Sequence, residues 1–243
     1  MNLIIDIGNS NTKVYVYHNG ILKFFKIINS LDQLKNTIND YLKEIRYVII
    51  SDVKRDKIEN KLSIFKEKFI LFVKECRFPF KSKYKTMNSL GDDRIALVSS
   101  AINKFPNRNV LIIDLGTCIT YDFLVEKGDY LGGLISPGFE MRYKSLNFYT
   151  ANLPLIKKIK EKDNIIGDST KTSIQSGVYY GIINEINSNI NFFSNNYQNL
   201  KVIITGGNSK ILSKKIKNTI FADQYFLADG LNYLLELNKT KWK

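Results

Sequence analysis

LIIDIGNSNTKVYVY, residues 3–17, returns as LIIDLGTCITYDFLV at residues 111–125. Aligned without gaps, the copies share Leu3/Leu111, Ile4/Ile112, Ile5/Ile113, Asp6/Asp114, Gly8/Gly116 and Thr12/Thr120. Each runs from an apolar stretch through Asp-x-Gly and small polar residues into a second apolar stretch, the pattern of a β-hairpin with a carboxylate at its tip. Gly8 and Gly116 allow a sharp turn and close approach to a ligand, and successive N–H groups at such a turn form an anion-binding hollow. Ser10, Asn11, Thr12, Thr117 and Thr120 add neutral donors, and Lys13 adds a point charge suited to phosphate. Asp6 and Asp114 repel bare phosphate, so the pattern implies a cation between carboxylate and phosphate. One copy alone reads as an ordinary Asp-Gly turn. Two copies with matched flanking strands read as facing hairpins that grip a nucleotide phosphate chain and its metal.

The rest of the composition mainly excludes. A chain of 243 residues with 44% hydrophobic content can bury a sizeable core in one large or two small domains. Asp6 interrupts the first apolar run, which argues against a signal peptide, and no segment has the length of uncharged apolar residues that a membrane helix needs. Cys76 and Cys118 lack metal-ligand spacing and read as buried thiols of a reducing cytoplasm. His18, the single histidine, sits beside Asn19-Gly20 as a surface turn residue, which argues against Ser-His-Asp or Cys-His chemistry. The formal charge of +13 is spread over scattered lysines, and its densest run, KKIKEK at 157–162, reads as a solvated face. That pattern argues against a nucleic-acid partner, although a positive field also attracts an anionic nucleotide.

Periodicity predicts strands at 2–8, 12–19 and 21–28, a helix at 31–45, a strand at 47–53, a charged helix to about 67 and a strand at 69–73. A loop at 74–90 leads to a helix from Leu90 to about Lys104. After the break at Pro106–Asn109 come strands at 110–115, 118–125 and 129–136, a helix from Pro137-Gly138, an extended stretch at 153–166 and a long helix at 168–195 capped by Asp168 or Ser169. A strand at 201–205, a short helix at 209–217 and a final helix at 226–237 complete the chain. Both halves open on Asp-x-Gly, so the expected architecture is a duplicated α/β plan of two similar mixed-sheet domains, residues 1–108 and 109–243, with a ligand cleft between them.

DIGNSNTK at 6–13 and IDLGTCITYD at 113–122 resemble the phosphate-binding hairpins of the actin, Hsp70 and sugar-kinase superfamily, which implies a duplicated ribonuclease H-like, actin-like ATPase fold. With GDDR at 91–94, GGLISPG at 132–138, SLNFYTANLP at 145–154, Thr170 and Ser176-Gly177, the chain resembles type III pantothenate kinase from Asp6 to Asn208. The resemblance implies ATP-dependent phosphorylation of pantothenate at its primary alcohol, the first step towards coenzyme A. It implies Asp93 as general base, with Tyr84, Gly91, Asp92, Asp93, Arg94 and Thr170 contacting pantothenate. ATP would be held by Asp6, Ile7, Gly8, Asn9, Ser10, Asn11, Thr12, Lys13 and Thr117, with Mg²⁺ accompanying it. Asp114 matches a ligand of a monovalent cation, K⁺ or NH₄⁺. The resemblance further implies a cytoplasmic homodimer whose pantothenate site is closed by the partner subunit.

One position departs from the family pattern: the second residue of Gly-x-Asp-Arg is usually not acidic, and here it is Asp92. A helix cap is the simplest reading of it. The two glycines of GGLISPG weaken a strand unless a ligand or a backbone needs the room, and they read as ligand-adjacent. The competing functional class is a non-catalytic regulator that binds nucleotide or DNA, for which steep salt dependence of DNA binding is the diagnostic. A pure binder has no chemical need of the set Asp6, Asp93, Arg94 and Asp114.

Overall fold

The computed structural model describes residues 1–8, 11–52, 59–212, 214–216, 219–221 and 224–239, with 59–61 and 221 described by backbone only. They form two compact units, residues 1–106 with 225–243, and residues 107–224.

The first unit is a five-stranded sheet in the order β3-β2-β1-β4-β5. Its strands are β1 (Asn2–Ile7), β2 (Thr12–His18), β3 (Ile21–Ile28), β4 (Tyr47–Asp52) and β5 (Phe69–Phe72). The hairpin β1–β2 and its neighbour β3 are antiparallel, whereas β4 and β5 run parallel to β1. Leu3, Ile5, Val14, Val16, Val48 and Ile50 face a core closed by Leu34, Ile38, Ile45 and Phe65. All six residues of β1 are buried, as an apolar run covered on both faces requires. After the two-residue strand β6 (Lys81–Ser82) comes α2 (Asp92–Lys104), which packs along α6 (Phe226–Asn238).

The second unit repeats the plan. Its strands β7 (Val110–Leu115), β8 (Cys118–Leu124), β9 (Asp129–Pro137), β10 (Lys201–Thr205) and β11 (Ile220–Phe221) lie in the order β11-β10-β7-β8-β9. Again a hairpin and a third strand are antiparallel, and the two remaining strands run parallel to the first. Leu111, Ile113, Tyr121 and Phe123 pack against α3 (Phe139–Phe148) and the long α4 (Thr170–Asn196) through Tyr143, Ile174, Tyr179, Ile182 and Ile186. Ser169 caps α4 by accepting the Thr172 N–H, one of the two caps expected.

Three expectations change. The helix expected at 31–45 breaks into 3-10 turns around a short α1 (Leu34–Thr37). Its centre, Thr37-Ile38-Asn39-Asp40, combines β-branched and Asx residues that compete poorly for helix, while Leu34 and Ile38 still reach the core. The charged helix before residue 67 is a 3-10 segment over Glu59–Phe65, its start lying outside the described residues. The short helix at 209–217 is limited to α5 (Ser209–Leu212).

The chain's last helix also joins a different unit from the division at 108/109. Asn2 donates to Asn232 (2.7 Å) and Glu236 (2.8 Å), and the Tyr17 hydroxyl donates to Asp229 (2.7 Å). These bonds tie α6 to β1 and β2, and Gly230 lets its backbone approach α2 so closely that a Cβ there would lie 1.9 Å from Ala96 O.

Candidate active site

The hairpin tips differ by one residue in register. In the first, Asp6 stands opposite Lys13; in the second, Asp114 stands opposite Thr120. A one-residue slip changes which side chain shares a face with the carboxylate. Lys13 is therefore a built-in counter-charge for Asp6, at 3.9 Å, whereas Asp114 faces a neutral hydroxyl. Both carboxylates also have a hydroxyl residue beside them on the parallel strand, Ser51 for Asp6 and Thr205 for Asp114. Ser51 donates to Asp6 Oδ1 at 3.1 Å. Sequence reading missed both partners, yet a signal existed: YVIIS at 47–51 and KVIIT at 201–205 form a second internal repeat.

Asp6 is 4% exposed. Burial pushes its carboxyl above the ordinary value, Lys13 and Ser51 pull it back, and Asp93 and Asp92 push it further up. The native state thus holds a proton on Asp6 more readily than the unfolded chain, so stability falls as pH rises from 3.8 through the raised value. Asp6→Asn in the ligand-free protein should raise Tm at pH 7 by about 2–4 °C, or about 1 kcal/mol at this chain length. The gain should fade below the ordinary carboxyl value of 3.8. Scanning calorimetry at both pH values checks this, and an unchanged or lower Tm at pH 7 would contradict it. Ile7 and Thr12 are buried at the strand ends, Gly8 donates to Asn11 O at 3.1 Å, and Asn11 is exposed at the tip. Asn9 and Ser10 lie outside the described residues.

The GDDR turn opens α2. Gly91 is the N-cap without a side-chain cap bond, so Asp92 is not the cap that its position suggested. Its carboxylate, 6% exposed, accepts the Asp52 N–H at 3.1 Å and lies 3.5 Å from Lys74 Nζ. Asp93 is half-buried and accepts the Arg94 N–H at 2.8 Å through Oδ1. A Cβ on Gly91 would come within 2.3 Å of that oxygen. Arg94 is buried with its guanidinium 5.6 Å from the Tyr84 ring centroid, so Tyr84 and Arg94 do come together. Beside this turn lies a cleft of about 430 Å³ lined by Asp52, Phe72, Lys74, Phe78, Met87 and Asp92, among others.

In the second unit Thr117 is exposed at the β7–β8 tip and Asp114 is half-buried. Gly206 (φ +93°) brings the loop after β10 against Asp114, where a Cβ would sit 2.3 Å from Oδ1. Thr120 Oγ1 is buried without a hydrogen-bond partner. The room left by the GGLISPG glycines is filled by the chain itself: added Cβ atoms would lie 1.6 Å from Tyr121 O at Gly133 and 2.4 Å from Thr117 O at Gly138. Backbone packing thus accounts for Gly133 within the strand and for Gly138 after it, while Gly132 is set by its φ of +108°. Thr170 is the exposed first residue of α4. Cys76 is buried and Cys118 only half-buried, and His18 is exposed at the end of β2.

The family model for type III pantothenate kinase matches residues 2–191. The chain belongs to the type III pantothenate kinase family. A type III pantothenate kinase of Christiangramia forsetii is 45% identical over 244 residues, covering 99% of this chain and 100% of the relative. One from Flavobacterium johnsoniae is 39% identical over 96% of each chain. Among solved structures, a protein assigned to the Baf family of transcriptional activators in Campylobacter jejuni superposes with a TM-score of 0.65 at 21% identity, covering 98% of this chain and 99% of that one. A glucokinase from an Antarctic psychrotroph superposes at 0.51 and 13% identity, over 97% and 98%. At such identities these two likenesses speak to fold alone: this member of the family shares its duplicated α/β architecture with them.

Proposed function

We propose that this member of the family transfers the γ-phosphoryl group of ATP to the primary hydroxyl of pantothenate, with Asp93 as general base. The observation that carries the reading is the GDDR turn, where half-buried Asp93 lies in the first turn of α2 and the Arg94 guanidinium lies over the Tyr84 ring. In a loose phosphoryl-transfer transition state, positioning and charge stabilisation matter more than base strength. A carboxylate within reach of the alcohol need only accept its proton as the O–P bond forms. Tyr84, Gly91, Arg94 and Thr170 are assigned to pantothenate, as is Asp92 through the wall of the adjoining cleft. Arg94 supplies a fixed donor fork.

ATP is assigned to Asp6, Ile7, Gly8, Asn9, Ser10, Asn11, Thr12 and Lys13 of the first hairpin and to Thr117 of the second. Asp6 is buried near Asp92 and Asp93, and the partial countercharge from Lys13 suits a site whose ligand brings a divalent cation with it. Mg²⁺ bound to the ATP phosphates would neutralise developing charge there. Asp114 is assigned a monovalent cation, K⁺ or NH₄⁺. Its register neighbours Thr120 and Thr205 are neutral oxygen donors, and the unpartnered Thr120 hydroxyl supports a ligand at that point. Among the described residues no cluster of three or more His, Cys, Asp or Glu side chains exists that would hold a divalent ion by itself.

A homodimer in the cytoplasm completes the proposal. The exposure of Phe148 (80%), Tyr149 (81%) and Ile166 (84%) in the second unit supports a partner surface. Among the described residues no helix is long and apolar enough to cross a membrane. Purified protein given ATP, Mg²⁺, K⁺ and pantothenate should form 4′-phosphopantothenate, read by mass spectrometry. Absence of that product, with ATP intact, would refute the assignment.

A further inference from the structure

The segment that leads into the GDDR turn is held by one lysine. Lys74 lies in the 3-10 turn Val73–Glu75 that follows β5. Its Nζ donates to Leu90 O and, at 3.5 Å, to Met87 O, and it lies 3.5 Å from Asp92 Oδ1. The other oxygen of Asp92 accepts the N–H of Asp52 at the end of β4. Both oxygens of a buried carboxylate are thus engaged by two different elements, and the lysine also gathers two carbonyls of residues 87–90. The N-cap Gly91 has no side chain to hold the helix start, so this pair of contacts helps to fix where the helix begins.

We propose that Lys74 is a positioning residue for catalysis: together with Asp92, whose other oxygen holds the end of β4, it pins the first turn of α2 to the turn after β5 and so sets where Asp93 stands. This rests on the assignment of Asp93 as base. The charge balance explains why the lysine matters. Burial pushes the Asp92 carboxyl up, and the Asp52 N–H and Lys74 bring it back. Without the ammonium, the buried carboxylate has one neutral donor left and must gain a proton or turn towards water. Either response loosens the residue adjacent to the base. Misplacement by an ångström is costly when catalysis depends on alignment.

Four proteins test it: wild type, Lys74→Met, Asp92→Asn and the double variant, each assayed for kcat, KM for ATP, KM for pantothenate and Tm. Lys74→Met should lower kcat by about 10- to 100-fold, with KM for ATP within about twofold of wild type. In the Asp92→Asn background the same substitution should cost less than about threefold in kcat, because no charge remains to be balanced. Lys74→Arg should retain most of the turnover. An unchanged kcat in Lys74→Met, or an equal loss in both backgrounds, overturns the proposal; the latter, with a raised KM for pantothenate, would mean that Lys74 touches substrate directly. Should wild type form no phosphopantothenate, the function assignment fails separately and the Tm cycle decides the clamp. Non-additive Tm changes uphold it, and additive ones overturn it.

Discussion

Asp93→Asn is expected to cut turnover by about 10²–10⁴-fold while fold and ATP affinity persist. Asparagine keeps the shape of the side chain and can still accept the Arg94 N–H that Asp93 Oδ1 accepts now. It cannot take the proton from an attacking alcohol. The assignment of Asp93 to that proton therefore separates cleanly from any role in folding. Circular dichroism and nucleotide titration should match wild type, and the loss should fall on kcat and kcat/KM alike, the mark of an interaction made in the transition state. The neighbouring acid gives an internal control. Asp92 is turned towards Asp52 and Lys74, so Asp92→Asn should cost far less than the same change one residue on. Comparable losses at both positions would mean that the two carboxylates act as one unit.

Gly230→Ala is expected to destabilise the fold. In an isolated helix the change would help, since alanine is favoured over glycine by about 1 kcal/mol. Here the added Cβ would lie 1.9 Å from Ala96 O and 2.8 Å from Ala96 C. Both contacts are with backbone, which cannot rotate aside. Relief requires α6 to move off α2, opening the packing between the two helices. Overpacking of this kind costs about 1–3 kcal/mol beyond the helix gain, which at this chain length lowers Tm by about 2–12 °C. Because α2 carries the GDDR turn, activity should fall with it. A Tm equal to or above wild type would show that the two helices can separate without cost.

Local chemistry made much of this molecule legible. The doubled Asp-x-Gly phrase marked two hairpins, and the two units repeat one strand order around them. GDDR sits at a helix start, and the offset from Tyr84 to Arg94 brings those side chains together. What escaped is long-range. Nothing near residues 226–238 says that this helix belongs with the first unit; the reason lies in Asn2, Tyr17 and Ala96. Likewise Lys74 reads as one lysine among many until the turn at 87–92 folds over it. The register offset between the hairpins was hidden because aligned threonines, Thr12 and Thr120, suggest equivalence, while turn length decides which residue faces the carboxylate. Strands of two residues, Lys81–Ser82 and Ile220–Phe221, are too short to leave a period.

The most direct measurement is a crystal structure with pantothenate and a non-hydrolysable ATP analogue. The expected result is a carboxylate oxygen of Asp93 within about 2.6–3.2 Å of the primary hydroxyl, Asp92 still on Lys74 and the Asp52 N–H, and Arg94 against Tyr84. A primary hydroxyl bonded instead to Asp92 or Asp6, with Asp93 turned to solvent, would contradict the account.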